Sequence, residues 1–175
     1  MLRILLLTLL ISASSSSFAF VKIQTKNWGA NTFSPLSYSE GHFSQAPVQN
    51  KKAQLKHHIM SEFAQWRGTD YRWGGDSRNG IDCSAFTRRI IASVIHRRLP
   101  RTAQEQSRMG RRVSQRELKV GDLVFFKTEP NVHHVGVYIG NDSFIHASSS
   151  QGVTMSHLSN QYWQAHYLTA RRVSA

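Results

Sequence analysis

Residues 71–95 constrain the fold of this chain more than any other stretch. A glycine-rich segment, YRWGGDSRNGI, leads directly into Asp82 and Cys83, where an apolar segment begins. Asp82 is a favourable N-cap residue, because its carboxylate can accept hydrogen bonds from the free amides of a first helical turn. The apolar residues that follow recur at steps of three and four, which predicts one buried helical stripe: Phe86, Ile90, Ile91, Val94 and Ile95. The pattern therefore places the only cysteine of the chain in the first turn of a buried helix.

Two interpretations of Cys83 follow from this position. The partial positive charge at a helix N-terminus favours the thiolate over the thiol, which is how a nucleophile is commonly presented. Alternatively, Cys83 is a small core residue, because free cysteine is among the most buried residue types. The local sequence does not separate the two.

The first nineteen residues have the features of a secretory signal peptide. Residues 1–3 give a basic start, residues 4–11 form an unbroken apolar run, and Ser17-Phe18-Ala19 is a small-x-small cleavage site. The apolar run is shorter than the about 20 residues that span a bilayer. No cysteine follows it to carry a lipid. We therefore expect cleavage near Ala19, export to the periplasm or beyond the cell, and no lipid anchor.

Export bears on the single cysteine. Paired cysteines become structural disulfides in an oxidising compartment, but one cysteine cannot pair within the chain. A leftover cysteine in an exported protein is a candidate working thiol. The nucleophile interpretation of Cys83 is therefore favoured over packing alone.

The formal net charge of +12 implies an anionic partner, although part of it can be a solvated face. Its lysines and arginines are scattered through the chain rather than gathered in one tail. Nucleic acid, lipid head groups and a cell-wall polymer are all anionic. After export, nucleic acid is the least accessible of the three, and we expect none to be bound.

The remaining pattern predicts an α+β domain after a polar arm. Residues 20–50 are rich in Ser, Asn, Thr, Gln and Gly and have no lasting period, which predicts a flexible arm or linker. The folded domain is expected over 51–175, with a first helix that stops at Gly68 and a short helix opened by a capping box at Thr102–Glu105. Strand patterns follow at 123–126, 132–139, 143–147, 152–158 and 167–173. Helices followed by an antiparallel sheet make an α+β layout.

The strand region supplies candidate bases for the thiol. If Ile139 pairs with Ser143 across a three-residue loop, the numbers of paired residues sum to 282. His134 and His146 then lie on the same side of the sheet as diagonal neighbours, whereas His133 points to the opposite side and away from the site. A slip of one residue would separate the pair.

Other interpretations of these histidines remain open. Each one taken alone is commonly a half-buried packing residue. One cysteine with two histidines is also a ligand set for zinc, but the chain lacks the spacings C-x-x-C and H-E-x-x-H. We expect neither a metal nor another cofactor.

Several sequence blocks together resemble the NlpC-type peptidoglycan endopeptidases over residues 53–173. The blocks are YRWGG, GIDCSAF, LPRTA, VGDLVFFK, HVGVYIG, FIHAS and a final Y-W-x-x-x-Y-x-x-A-R-R-V, in the order of the family. The resemblance implies a pared-down papain-like α+β fold, in which a helix-borne cysteine packs against an antiparallel sheet that carries the histidines. It implies that Cys83 is the nucleophile, that His134 is the general base and that His146 orients His134.

The same resemblance assigns substrate-side roles to three further residues. Tyr71 is expected beside the thiol, where it helps to polarise the scissile carbonyl, and Asp82 and Ser84 are expected to line the pocket for the stem peptide. From the residues alone, Tyr71 is a packing residue, Asp82 a helix cap and Ser84 an exposed polar residue. Ala85 departs from the family, which usually has glycine after Cys-Ser, and this bears on substrate range.

The sequence thus predicts a monomeric cysteine endopeptidase that hydrolyses amide bonds in peptidoglycan. The bond lies either within a peptide stem, between D-glutamate and diaminopimelate, or at a cross-link between stems. The alternatives are an amidase or acyltransferase of the same fold, an inactive wall-binding module and a secreted toxin that attacks the wall of a rival.

Overall fold

The computed structural model describes residues 46–174. The expected signal peptide, residues 1–19, and residues 20–45 of the expected arm lie outside the described residues. No helix in the described part of the chain is long and apolar enough to cross a membrane.

Four α-helices, one 3₁₀ helix and eight strands make up the described residues. The helices are α1 (Ala46–Trp66), α2 (Cys83–Ile95), α3 (Ala103–Gln106) and α4 (Gln161–His166), and the 3₁₀ turn is Gln115–Glu117. The strands are β1 (Asp76–Ser77), β2 (Gly80–Ile81), β3 (Arg111–Val113), β4 (Leu123–Glu129), β5 (Val132–Gly140), β6 (Ser143–Ser148), β7 (Gly152–His157) and β8 (Tyr167–Arg172). The predicted α+β class is confirmed.

Helix α1 buries a single apolar stripe. Ile59, Phe63 and Trp66 are buried at steps of four and three, and the chain leaves the helix at Gly68, whose φ of 78° suits a helix-ending glycine. The helix begins at Ala46, so it includes five residues that the sequence analysis assigned to the arm.

Helix α2 forms as its sequence predicts. The Asp82 carboxylate accepts a hydrogen bond of 2.8 Å from the amide of Ala85, which caps the first turn. Of the predicted stripe, Phe86, Ile90 and Ile91 are fully buried, whereas the last turn is only partly covered. The helix thus holds Cys83 against the sheet by an apolar face and a capped start.

The main sheet has six strands in the order β3-β8-β4-β5-β6-β7, and all its neighbours are antiparallel. One face packs on α1 and α2 and carries Val135, Val137 and Ile145; we call it the helix face. The opposite face carries Phe126 and Phe144 and is partly covered by α4; we call it the α4 face. Buried side chains on both faces fix the strand register.

The hairpin of β5 and β6 sets the positions of the histidines. Val137 pairs with Ile145, which gives the predicted sum of 282. The predicted closing pair is wrong, because Gly140 rather than Ile139 lies opposite Ser143. Asn141 and Asp142 have positive φ angles of 51° and 62°, as in a two-residue hairpin turn, and a bulge before Gly140 restores the register.

Candidate active site

Cys83 lies where the first turn of α2 meets β5. Its side chain is 6% exposed and belongs to the same buried cluster as Val135 and Val137 on the helix face. The backbone amide of Val135 lies near enough to the sulfur to act on the pKa of Cys83, and it favours the thiolate. Because Val135 follows His134 directly, this contact joins the thiol to the strand that carries the expected base.

The protonation of the thiol differs from the sequence expectation. Burial raises the pKa of Cys83 to about 11, and the nearby Asp82 carboxylate acts in the same direction. The amides of Val135, Ser84 and Cys83 itself lower the pKa but do not compensate. The amides at the helix N-terminus thus act in the predicted direction, but desolvation outweighs them and favours the thiol. A base must take this proton before the sulfur can attack.

The two histidines expected at the site are in direct contact on the α4 face. His134 Nε2 lies 2.8 Å from His146 Nδ1, and His146 Nε2 lies 3.0 Å from Ser156 Oγ. The ring of Trp163 stacks on the ring of His134, with 5.3 Å between the centroids. These contacts make a continuous chain from His134 through His146 to a serine hydroxyl, with one ring held flat against an indole.

Both histidines are neutral in this setting. Burial lowers the pKa of His134 to about 4 and holds that of His146 well below 6.5, where the neighbouring His134 acts in the same direction. A neutral imidazole carries one N–H, so one proton lies between the two rings. If Ser156 accepts from His146 Nε2, then His146 Nδ1 accepts from His134 Nε2. His134 Nδ1 is then the free acceptor of the chain, and it has no hydrogen-bond partner among the described residues.

His133 is not where the sequence analysis expected it. The prediction that it points away from the site is wrong: it lies opposite to His134 on β5, as strand alternation requires, but it lines a cavity together with Cys83. The prediction assumed that the site lies on the side of the sheet to which His134 points. Cys83 instead packs on the helix face, whereas the ring of His134 lies against Trp163 on the α4 face.

A cavity of about 470 Å³ opens beside the cysteine, and we call it the cysteine cavity. Its lining includes the three residues assigned to substrate by resemblance, together with the cysteine and Arg101: Tyr71, Asp82, Cys83, Ser84 and Arg101. The sequence thus brings together one thiol, one phenol and one ion pair at the start of α2.

Arg101 is a member of this site that sequence reasoning missed. Its guanidinium binds both carboxylate oxygens of Asp82, at 2.7 and 3.1 Å, and lies 2.9 Å from the hydroxyl of Ser84. Ser84 is itself buried and donates to Asp82 at 2.8 Å, so it is not the exposed polar residue that the local pattern suggested. The available signal was the LPRTA block, which the sequence analysis used only for the resemblance.

The charge of Asp82 is fixed by these partners. Burial acts to raise its pKa, but the hydrogen bonds from Arg101, the Ala85 amide and Ser84 outweigh burial and lower it. Asp82 therefore stays ionised and paired, at once a helix cap and part of the cavity wall.

Tyr71 stands between two cavities. Burial raises its pKa to about 12, and the nearby Cys83 and Asp82 add to this shift, so its hydroxyl keeps the proton and can donate it in a hydrogen bond. Tyr71 and the exposed Trp73 line both the cysteine cavity and a second cavity of about 610 Å³. The second cavity contains His134 and Ser156, and we call it the histidine cavity.

Within residues 46–174, no group of three or more His, Cys, Asp or Glu side chains is arranged to hold a metal ion. The chemistry available at this site is that of a thiol, neutral imidazoles, a phenol and a paired carboxylate.

Comparisons with known proteins agree with this geometry. A sequence profile described as the NlpC/P60 family matches residues 68–172. The chain is 42% identical over 150 residues to a protein of Escherichia coli K12 named murein DD-endopeptidase MepS/murein LD-carboxypeptidase, covering 86% of this chain and 78% of that protein. It is 48% identical over 115 residues to a probable endopeptidase NlpC homolog of Haemophilus influenzae, covering 66% of this chain and 61% of that protein.

Solved structures give the same result for the fold. The peptidoglycan hydrolase RipB of Mycobacterium tuberculosis matches with a TM-score of 0.59 and 29% identity, over 75% of this chain and 70% of that chain. An NLP/P60 family protein of Staphylococcus aureus, described as similar to lipoprotein, matches with a TM-score of 0.63 and 34% identity, over 70% of this chain and 42% of that chain.

Proposed function

This chain belongs to the NlpC/P60 family, and from that premise we propose that it is a cysteine endopeptidase that hydrolyses amide bonds in the peptide stems of peptidoglycan. The observation that carries the proposal is the hydrogen-bonded chain His134–His146–Ser156, carried by strands next to a buried thiol at the start of α2. Relatives of similar sequence are named as murein or peptidoglycan endopeptidases.

In this proposal Cys83 is the nucleophile and His134 is its base. The pKa of about 11 for the thiol and of about 4 for His134 mean that the resting pair is uncharged. His134 Nδ1 takes the thiol proton as the sulfur attacks the carbonyl carbon. The attack therefore proceeds by general-base catalysis rather than from a preformed thiolate.

Acylation and deacylation then follow, and His134 takes up and returns one proton in each half of the reaction. The C–S bond forms, the amide C–N bond breaks, and His134 gives its proton to the leaving nitrogen, which departs as a free amine. In the second half, His134 takes a proton from water as the water oxygen attacks the thioester. The C–S bond breaks, the acid product leaves, and His134 returns the proton to the sulfur.

His146 is proposed to position His134 rather than to exchange protons with substrate. In the proposed arrangement the proton between the rings is on His134 Nε2, which lies 2.8 Å from His146 Nδ1, so the bare nitrogen of His134 is the one available to the thiol. Tyr71 is proposed to donate a hydrogen bond to the scissile carbonyl oxygen, because its raised pKa keeps its proton in place. Asp82, Ser84 and Arg101 are proposed to form the wall that receives the acyl side of the stem.

We also propose that the protein is exported and acts on the wall. The support is the expected signal peptide at residues 1–19. A formal charge of +12 suits an anionic polymer of this compartment.

The test of the proposed function is digestion of purified sacculi, with the released muropeptides identified by mass spectrometry. The wild-type protein is expected to release peptide fragments and to name the bond by their masses. Cys83→Ala is expected to release none while retaining its fold by circular dichroism, because the substitution removes only one buried atom. Chelators are expected to leave the activity unchanged. Activity that survives Cys83→Ala, or that a chelator removes and zinc restores, would overturn the proposal.

A further inference from the structure

The cysteine cavity and the histidine cavity divide the catalytic groups between them. Cys83 lines the first and not the second, and His134 lines the second and not the first. Tyr71 and Trp73 line both and so mark the place where the two cavities meet. A substrate that reaches both catalytic groups must cross this boundary.

The reaction determines which half of the substrate lies in which cavity. The acyl half of the substrate stays on the sulfur of Cys83 after the amide breaks, whereas the amine half receives a proton from His134 and leaves. On the premise of the proposed function, we infer that the histidine cavity binds the amine-side half of the stem peptide and selects an amine-side residue that carries a free side-chain ammonium group. The cysteine cavity then receives the acyl-side half.

The size of the histidine cavity fits this role. Its volume of about 610 Å³ is in the range of sites for small ligands, so it can take more than a single amino-acid side chain. Its lining is rich in hydroxyl and amide groups, among them Ser148, Ser150, Ser156 and Asn160, which suit a polar peptide.

The charge of the lining gives the chemical class of the ligand. Within residues 46–174, Glu129 is the only Asp, Glu, Lys or Arg side chain that lines the histidine cavity, in a chain whose formal charge is +12. Among the described residues it has no hydrogen bond or ion pair from its side chain, and it is exposed at the end of β4. In the cysteine cavity, by contrast, Asp82 is neutralised by Arg101. Glu129 is therefore the carboxylate available to a substrate cation.

This inference distinguishes two kinds of bond in the wall. In a stem that is not cross-linked, a diamino acid on the amine side of the scissile bond keeps its side-chain amine as an ammonium group. A cross-link acylates that amine and removes the charge. The acidic histidine cavity thus favours cleavage within free stems over cleavage at cross-links.

The test uses two soluble stem peptides that differ only in the side-chain amine of the amine-side diamino acid, free in one and acetylated in the other. An exposed ion pair is worth up to about 1 kcal/mol, so the wild-type KM is expected to be about three- to fivefold lower for the free amine. Glu129→Gln is expected to remove this difference by raising KM for the free amine alone, with kcat within twofold. Glu129→Lys is expected to reverse the preference. Glu62→Gln, on α1 and outside both cavities, is the matched control.

The outcomes separate this inference from the proposed function. Equal KM values for the two peptides in the wild type, or an equal rise for both in Glu129→Gln, would overturn the role of the histidine cavity while hydrolysis itself stands. Failure to cleave either peptide would remove the proposed function, and the inference with it. Because Glu129 is exposed, loss of folding is not expected, and circular dichroism of each variant checks this.

Discussion

The contact of Ser156 with His146 bears on which nitrogen of His134 is free. If the Ser156 hydroxyl accepts from His146 Nε2, the His146 proton is held at that atom, and His146 Nδ1 remains an acceptor for His134 Nε2. Without the hydroxyl, the proton of His146 can move to Nδ1, and His134 would then present the wrong nitrogen. Ser156 is in this sense a positioning residue that touches no reacting atom.

We expect Ser156→Ala to lower kcat about fivefold, since one hydrogen bond contributes about 1 kcal/mol. KM should change little, and Ser156→Thr should restore most of the activity because it keeps the hydroxyl. Nitrogen chemical shifts of the histidine rings, measured by NMR, should report a mixture of tautomers in the alanine variant alone. Equal losses in both variants would mean that the residue fills space and does not fix a proton.

Substitutions of the three histidines of the site should differ sharply in their effect on turnover. His134→Ala is expected to fall near the Cys83→Ala background, because a positioned acid–base group contributes about 10²–10⁴-fold. His146→Asn should keep measurable turnover, since orientation of His134 requires an acceptor and not a titrating group. The double variant should be hardly worse than His134→Ala alone, because the two act as a unit.

His133→Ala is the control for this series. It lines the cysteine cavity, so a modest change in KM is expected, but its kcat should remain close to that of the wild type. Initial rates of stem-peptide cleavage for all four variants decide the matter. A crippled His133→Ala beside an active His134→Ala would show that the base is assigned to the wrong ring.

Individual site residues could be predicted where a sequence motif or the strand register pointed to them. The resemblance named Cys83 and His134, and the parity of the strand register brought His146 to the same face. Ser156 was accessible to the same parity argument across β6 and β7, where it pairs with Phe144, but no motif drew attention to it. The protonation of the thiol was not predictable, because burial rather than helix position decides it, and the degree of burial follows from tertiary packing.

At the level of elements, the hairpin of β5 and β6 carries both His134 and His146, and its two strands are closely packed at Gly136. The strands pair through Val137 and Ile145, and Gly136 lies next to that pair. A Cβ atom at position 136 would lie 2.6 Å from Cδ2 of Phe144 and 2.9 Å from the carbonyl oxygen of Ile145. Glycine is therefore required at position 136 because a Cβ atom would clash with β6, and not because of its backbone φ angle.

Gly136→Ala is expected to lower the free energy of unfolding by about 1–3 kcal/mol, as overpacking of a core does. It should also lower activity, because separating β5 from β6 shifts both the Val135 amide and His134. Gly68→Ala is the matched control: its φ of 78° makes it strained, but a Cβ there meets nothing within 4 Å. Urea unfolding and peptide cleavage of both variants test this. Loss of stability with full activity in Gly136→Ala would mean that the site tolerates movement of the hairpin.

The elements themselves were largely predictable from periodicity. The cap of α2, the capping box of α3 and the five strands from β4 to β8 all occur where the pattern indicated. Short elements were not predicted: β1, β2 and β3 have two or three residues and α4 has six, which is too few to show a period. The closing turn of the β5–β6 hairpin was misjudged because Asn141 and Asp142 both adopt positive φ without the glycine that usually announces such a turn.

The whole domain carries His134 and His146 as buried neutral groups, and this couples its stability to pH. An unfolded histidine titrates near pH 6.5, whereas burial lowers the pKa of His134 to about 4 and that of His146 well below 6.5. Below pH 6.5 the unfolded chain therefore binds protons that the folded chain does not bind. Stability from these residues is fully present above pH 6.5 and declines as the pH falls towards 4.

The last prediction follows from this linkage. The free energy of unfolding rises with pH near pH 5, because the unfolded state binds one more proton for each buried neutral histidine. Each such histidine contributes at most about 1.4 kcal/mol per pH unit to this slope. His146→Asn should reduce that slope by up to this amount, whatever its effect on stability at pH 7. Gln54→Asn, an exposed position on α1, should leave the slope unchanged, because neither side chain binds a proton. Urea unfolding at pH 7, 6 and 5 measures all three slopes. If the slope of His146→Asn matched that of the wild type, His146 would have to be protonated in the folded enzyme, and the chain of neutral rings behind His134 would be excluded.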